Sequence, residues 1–194
     1  MAFFWMTFLF VACLASAADF MGEGEVRNES SSTVHTILKR LKRSTCKVTE
    51  MNWHLEGVRE LISEASSSGK DVIKFSDRFV LNGYTMRLRA KVERIDGELW
   101  LGLYLNPCEG PTDQLLAWPF RTPYTLTVFH PMENTLDVSK TVSSFSSTSA
   151  DVFKRPTTGC NAAFGFSKVI RASEAEEQGY IFDNAISVGV KLNL

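Results

Sequence analysis

Hydrophobic and polar positions alternate with a period of two along much of the chain. Over residues 83–93, Tyr84, Met86, Leu88, Ala90 and Val92 alternate with Thr85, Arg87, Arg89, Lys91 and Glu93. Leu99, Leu101, Leu103 and Leu105 alternate in the same way with Trp100, Gly102 and Tyr104. Successive side chains of a strand point to opposite faces, so each run predicts a strand with one buried face. Asp96-Gly97 between the two runs is a hairpin turn signal. Further runs predict strands over residues 51–55, 72–75, 79–80, 124–129, 163–170 and 180–192. Within residues 48–194, helical turns are expected over residues 58–66 and 172–178. Seven or eight short strands separated by turn signals predict an all-β fold, a single antiparallel sandwich over residues 48–194.

The centre of this pattern is the stretch 98–131. After the leucine-alternating strand come Asn106-Pro107 and Gly110-Pro111, both turn signals. Leu115, Leu116, Trp118 and Phe120 then form an apolar cluster around Pro119. Proline cannot donate to a strand ladder, so this cluster is expected at a corner or an edge of the sandwich.

The N-terminal part follows other rules. Residues 3–11 are almost wholly apolar, and Ala15-Ser16-Ala17 follows with the small-x-small pattern of a signal peptidase site. The run is too short for an integral membrane span. It predicts a signal peptide over residues 1–17 and a secreted protein; the alternative is a cytoplasmic chain in which the segment is unused. Residues 19–32 read as a polar linker, with a glycosylation sequon at Asn28-Glu29-Ser30 that matters only on the secretory path. Over residues 33–45, Val34, Ile37, Leu38 and Leu41 share one face of a short amphipathic helix with basic flanks. That helix either packs on its own domain or seeds a weak homo-oligomer; about two heptads are too few for a stable coiled coil.

Composition narrows the function classes. Hydrophobic residues make up 44% of the chain, ample for a core, and the formal net charge of −1 points neither to nucleic acid nor to an anionic membrane. Removal of the signal would leave Cys46, Cys108 and Cys160, an odd set whose pairing the spacing does not decide. No C-x-x-C pair supports a zinc site. His35, His54 and His130 form no H-E-x-x-H motif, and no serine sits in a Gly-x-Ser-x-Gly elbow. No catalytic set and no cofactor is therefore expected.

Six landmarks in order resemble TRAF-type (meprin and TRAF homology, MATH) domains from Trp53 to the C-terminus. They are Trp53-His54-Leu55-Glu56-Gly57; Phe79 before Gly83-Tyr84; the strand 99–105; Gly110 to Phe120, which resembles G-x-x-D-x-L-L-x-W-P-F; Phe153-Lys154-Arg155-Pro156, which resembles F-Q-R-P; and Tyr180-Ile181-Phe182-Asp183-Asn184-Ala185-Ile186. The resemblance implies an eight-stranded antiparallel β-sandwich that binds extended peptides of TNF-receptor-family or adaptor tails, in receptor signalling or its modulation. Such a peptide adds to a sheet edge as a strand. One branch of the family uses an Arg and a Tyr two residues apart; here Arg89 matches and Lys91 stands in the Tyr position. The branch reading Pro-x-Glu-x-x-aromatic-or-acidic motifs uses the same Arg and a G-F-G-Y segment, which Ala163-Phe164-Gly165-Phe166 resembles. The resemblance thus implies a peptide site of Arg89, Tyr104, Phe164, Gly165 and Phe166. Gly165 would let the peptide backbone come close. From the pattern alone, alternating phenylalanines such as Phe164 and Phe166 are more often core than binding groove. The rival reading is a secreted sandwich module for extracellular protein or glycan, with the groove degenerate.

Overall fold

The computed structural model of the chain describes residues 48–145 and 150–194. The expected signal peptide, the linker with Asn28, the helix over 33–45 and Cys46 lie outside the described residues. Among the described residues no helix is long and apolar enough to cross a membrane.

The described chain is an antiparallel β-sandwich. Its strands are β1 (Glu50–Glu56), β2 (Val72–Phe75), β3 (Phe79–Leu81), β4 (Tyr84–Ile95), β5 (Glu98–Pro107), β6 (Tyr124–Phe129), β7 (Val138–Val142), β8 (Phe164–Arg171) and β9 (Ala185–Leu192). One sheet has the order β1-β9-β6-β7; the other runs β2-β4-β5-β8, with β3 also paired to β4. Short helices α1 (Val58–Ser68), α2 (Ala150–Phe153) and α3 (Ala172–Glu177) connect strands. The core lies between the sheets and holds the inward set of β4 and β5: Met86, Leu88, Ala90 and Leu101, Leu103, Leu105 are all buried. Asp96 and Gly97 both take positive φ, 53° and 86°, and close the β4–β5 hairpin as the sequence predicts.

Three expectations change. Val138–Val142 is a ninth strand where none was expected. Only Val142 of its five residues is buried, so it carries no period-two signal. The last strand begins at Ala185 rather than at residue 180, because Asp183 and Asn184 take left-handed φ values of 48° and 58° and break it. That turn has its own task. The Asn184 carbonyl accepts the Gly57 and Val58 N–H groups at 2.9 and 3.1 Å, and its side-chain oxygen accepts the Arg59 N–H at 3.0 Å. Asn184 thereby supplies the cap that the first turn of α1 lacks locally. Finally, Leu115 is 58% exposed and takes no part in the corner's apolar cluster.

The rest of the corner is wound on Asp113. Its carboxylate accepts the Gly110 N–H at 2.9 Å, and its carbonyl accepts the Trp118 indole N–H at 3.0 Å. Trp118-Pro119 is cis. Phe120 is fully buried and meets Tyr84, Tyr124, Phe145 and Phe153 at centroid distances of 5.0, 6.4, 6.4 and 6.1 Å. Phe153 in turn meets Phe164 at 5.3 Å. A chain of aromatic contacts therefore joins the corner to the start of β8.

Candidate functional site

The register decides which side chains share a face. Tyr104 stands opposite both Arg89 on β4 and Gly165 on β8, and Arg89 stands opposite Phe75 on β2. These four form one row across the outer face of the five-stranded sheet. The row ends at β8, the last strand in the sheet order, whose far side pairs with no strand among the described residues. Such an edge offers unpaired backbone groups to an added strand.

Phe164 and Phe166 stand opposite Leu105 and Leu103, so they face inward. Both are half-buried and pack against the core. The five residues expected to form one site are thus divided by the sheet. Arg89, Tyr104 and Gly165 lie on its outer face, and the two phenylalanines lie on its inner face beside the same edge strand. The role expected of Gly165 also changes. A Cβ there would meet the Tyr104 Cα at 2.7 Å and would collide with the Leu103 carbonyl. The glycine is required by β5, so its missing side chain leaves no added room for a ligand.

Two supports hold β8. The Tyr124 hydroxyl donates to the Phe164 carbonyl at 2.9 Å, and burial pushes that phenol's pKa far up. A disulfide joins Cys108, just past β5, to Cys160, just before β8. The pairing that the sequence left open is therefore Cys108–Cys160. Beside it, the Asn106 amide donates to the Asn161 carbonyl at 2.9 Å.

The electrostatics of the outer face are uneven. The Lys91 ammonium lies 2.9 Å from Asp71 and 2.6 Å from Glu93. Burial works against that ammonium, but its bonds to the two carboxylates prevail and hold its pKa above the ordinary value. The Tyr104 hydroxyl donates to the same Glu93 at 3.2 Å, and burial raises its pKa. Lys168 and Arg171 pair with Asp96 and Glu98 at 2.6 and 2.9 Å. Arg89 lies over the Tyr104 ring at 4.6 Å, and Arg87 lies over the Phe75 ring at 3.9 Å. Neither forms an ion pair among the described residues, and the buried Nε of each has no hydrogen-bond partner. Sequence reasoning placed Arg87 on the outward set but gave it no role; its neighbour Phe75 comes from another strand and leaves no local signal.

An open cleft of about 720 Å³ lies elsewhere, lined by Arg59, Ile62, Ser66, Arg94 and Leu99 among others. It contains the Arg59–Glu176 ion pair and none of the predicted site residues. Among the described residues no group of His, Cys, Asp or Glu could hold a metal ion.

A family model described as the TRAF/meprin MATH domain matches residues 72–189. Among solved structures, Notothenia coriiceps TRAF5 aligns with a TM-score of 0.63 and 24% sequence identity, over 84% of this chain and 83% of that chain. At that identity the likeness is one of fold. A comparison with curated proteins found no match.

Proposed function

The chain belongs to the TRAF/meprin MATH domain family, whose domains are protein-binding modules, and from that premise we propose that it binds short extended peptides at the open edge of β8. The observation that carries this reading is the row Arg89–Tyr104–Gly165, which ends at an unpaired strand edge. The peptide backbone pairs with β8. Its outer-face side chains meet Tyr104 and Arg89, and its inner-face side chains meet the half-exposed flanks of Phe164 and Phe166. Arg89 has no carboxylate of its own, so it offers charge to an acidic residue, or cation–π contact to an aromatic one. Those are the features of a Pro-x-Glu-x-x-aromatic-or-acidic ligand, of the kind carried by receptor or adaptor segments.

The Cys108–Cys160 disulfide favours a second element of this reading. Disulfides persist in oxidising compartments, which suits an exported domain and a partner met outside the cytosol.

The test is fluorescence anisotropy with labelled Pro-x-Glu-x-x-Phe peptides. Arg89→Ala should weaken binding by about tenfold or more, since a charged hydrogen-bonding partner is lost. Equal affinity of the wild type and Arg89→Ala, at unchanged melting temperature, would overturn the reading.

A further inference from the structure

The cations of the outer face divide into two groups. Lys91, Lys168 and Arg171 each touch a carboxylate. Arg87 and Arg89 touch none among the described residues. Phe79 on β3 stands opposite Met86, so Arg78, the residue before it, comes beside Arg87 on β4; burial, and then the like charges of Arg78 and Arg89, lower the Arg87 pKa. Its guanidinium lies over the ring of Phe75, itself 44% exposed, with Cζ 3.9 Å from the centroid. A half-buried guanidinium with like-charged neighbours and an unpartnered Nε is unfavourable in isolation. An anion set between Arg87 and Arg78 would relieve the repulsion and supply the missing acceptor.

We propose that Arg87 and Arg78, beside the Phe75 ring, form a second anion subsite that takes an acidic side chain from the flank of the same bound peptide. This rests on the peptide reading above and extends it. The occupant is an acidic extended segment, chosen by charge complementarity. Arg89 leans over β5 and Arg87 leans over β2, so the two guanidinia diverge across the face. β4 lies two strand spacings from the β8 edge, about 10 Å, so a segment that reaches Arg87 must leave the edge and cross the sheet. Same-side residues of an extended segment repeat every ~7 Å. The second acid therefore stands two or four residues beyond the one held by Arg89. An acid three residues on points to the opposite side of the segment, away from Arg87.

The probes are a labelled parent peptide with one glutamate in the Arg89 position, and three derivatives carrying a second glutamate two, three or four residues further on. Arg87→Met keeps an unbranched stem and removes the charge. Arg78→Ala changes an exposed residue and serves as a second variant. The wild-type domain should bind one of the even-spaced derivatives about tenfold more tightly than the parent. Arg87→Met should abolish that gain, Arg78→Ala should reduce it, and both should bind the parent as the wild type does. Added salt should shrink the gain. Equal binding of all four peptides, a gain that follows the odd spacing, or a gain that survives Arg87→Met overturns the second subsite and leaves the peptide reading standing. A parent peptide that does not bind sinks the peptide reading. The subsite is then judged on the acidic derivatives alone, and it fails if Arg87→Met leaves their binding unchanged.

Discussion

Single residues set the tolerance of this edge. Gly165 is the sharpest case, because a methyl group there meets the backbone of β5, which cannot swing aside as a side chain can. Gly165→Ala should therefore destabilise the domain by about 1–3 kcal/mol, as overpacking does. Urea unfolding measures this, and unchanged stability would show that β8 does not sit against Tyr104 as described. Gly102, across the bulge in the β5–β8 pairing, is similarly confined: its Cβ would stand 2.9 Å from the Phe166 carbonyl oxygen. Arg89 needs no such confinement. Its place in the row comes from the β4–β5 register, and the role proposed for it comes from the carboxylate it lacks.

At the scale of elements, β8 is the strand on which the binding reading depends, and aromatic contacts and a disulfide brace its N-terminal end. The aromatic contacts Phe120–Phe153–Phe164 bring the Trp118-Pro119-Phe120 corner to bear on it. Each such pair contributes about 0.5–1.5 kcal/mol beyond area burial. The Cys108–Cys160 bond closes a span of 52 residues. Loop-closure entropy for that span predicts a stabilisation of about 4 kcal/mol. A double Cys108→Ala, Cys160→Ala variant should lose stability of that order in urea unfolding, and should also bind peptide more weakly, because β8 loses its anchor. A variant as stable as the wild type would show that the bond closes no loop that matters to the fold. The alternation in β4 and β5 made these two strands legible in the sequence. β7 was not, since an edge strand with one buried residue has no face to advertise.

At the scale of the molecule, the two sheets share one core, and the disulfide bears on where the molecule works. If the chain is exported, the protein recovered from the medium of secreting cells should begin at Ala18 and should carry the Cys108–Cys160 bond. N-terminal sequencing and non-reducing peptide mapping measure both. An intact Met1 in a cytosolic fraction would refute export. Much of this protein was fixed by its sequence alone. Period-two runs named the buried face of each long strand, the Asp96-Gly97 turn joined two of them, and the ordered landmarks around the Leu-Leu-x-Trp-Pro-Phe corner pointed to the family. These signals are local, because a strand's own alternation states which of its residues share a face. Only the tertiary structure decided how faces of different strands meet. Register, and the bulge between β5 and β8, placed Gly165 beside Tyr104 and turned Phe164 and Phe166 inward. Proximity across strands paired Cys108 with Cys160, laid Arg87 on Phe75, and, among the described residues, gave Lys91, Lys168 and Arg171 the carboxylates that Arg87 and Arg89 lack. No spacing along the chain encodes those distances, which arise only when the strands are laid side by side.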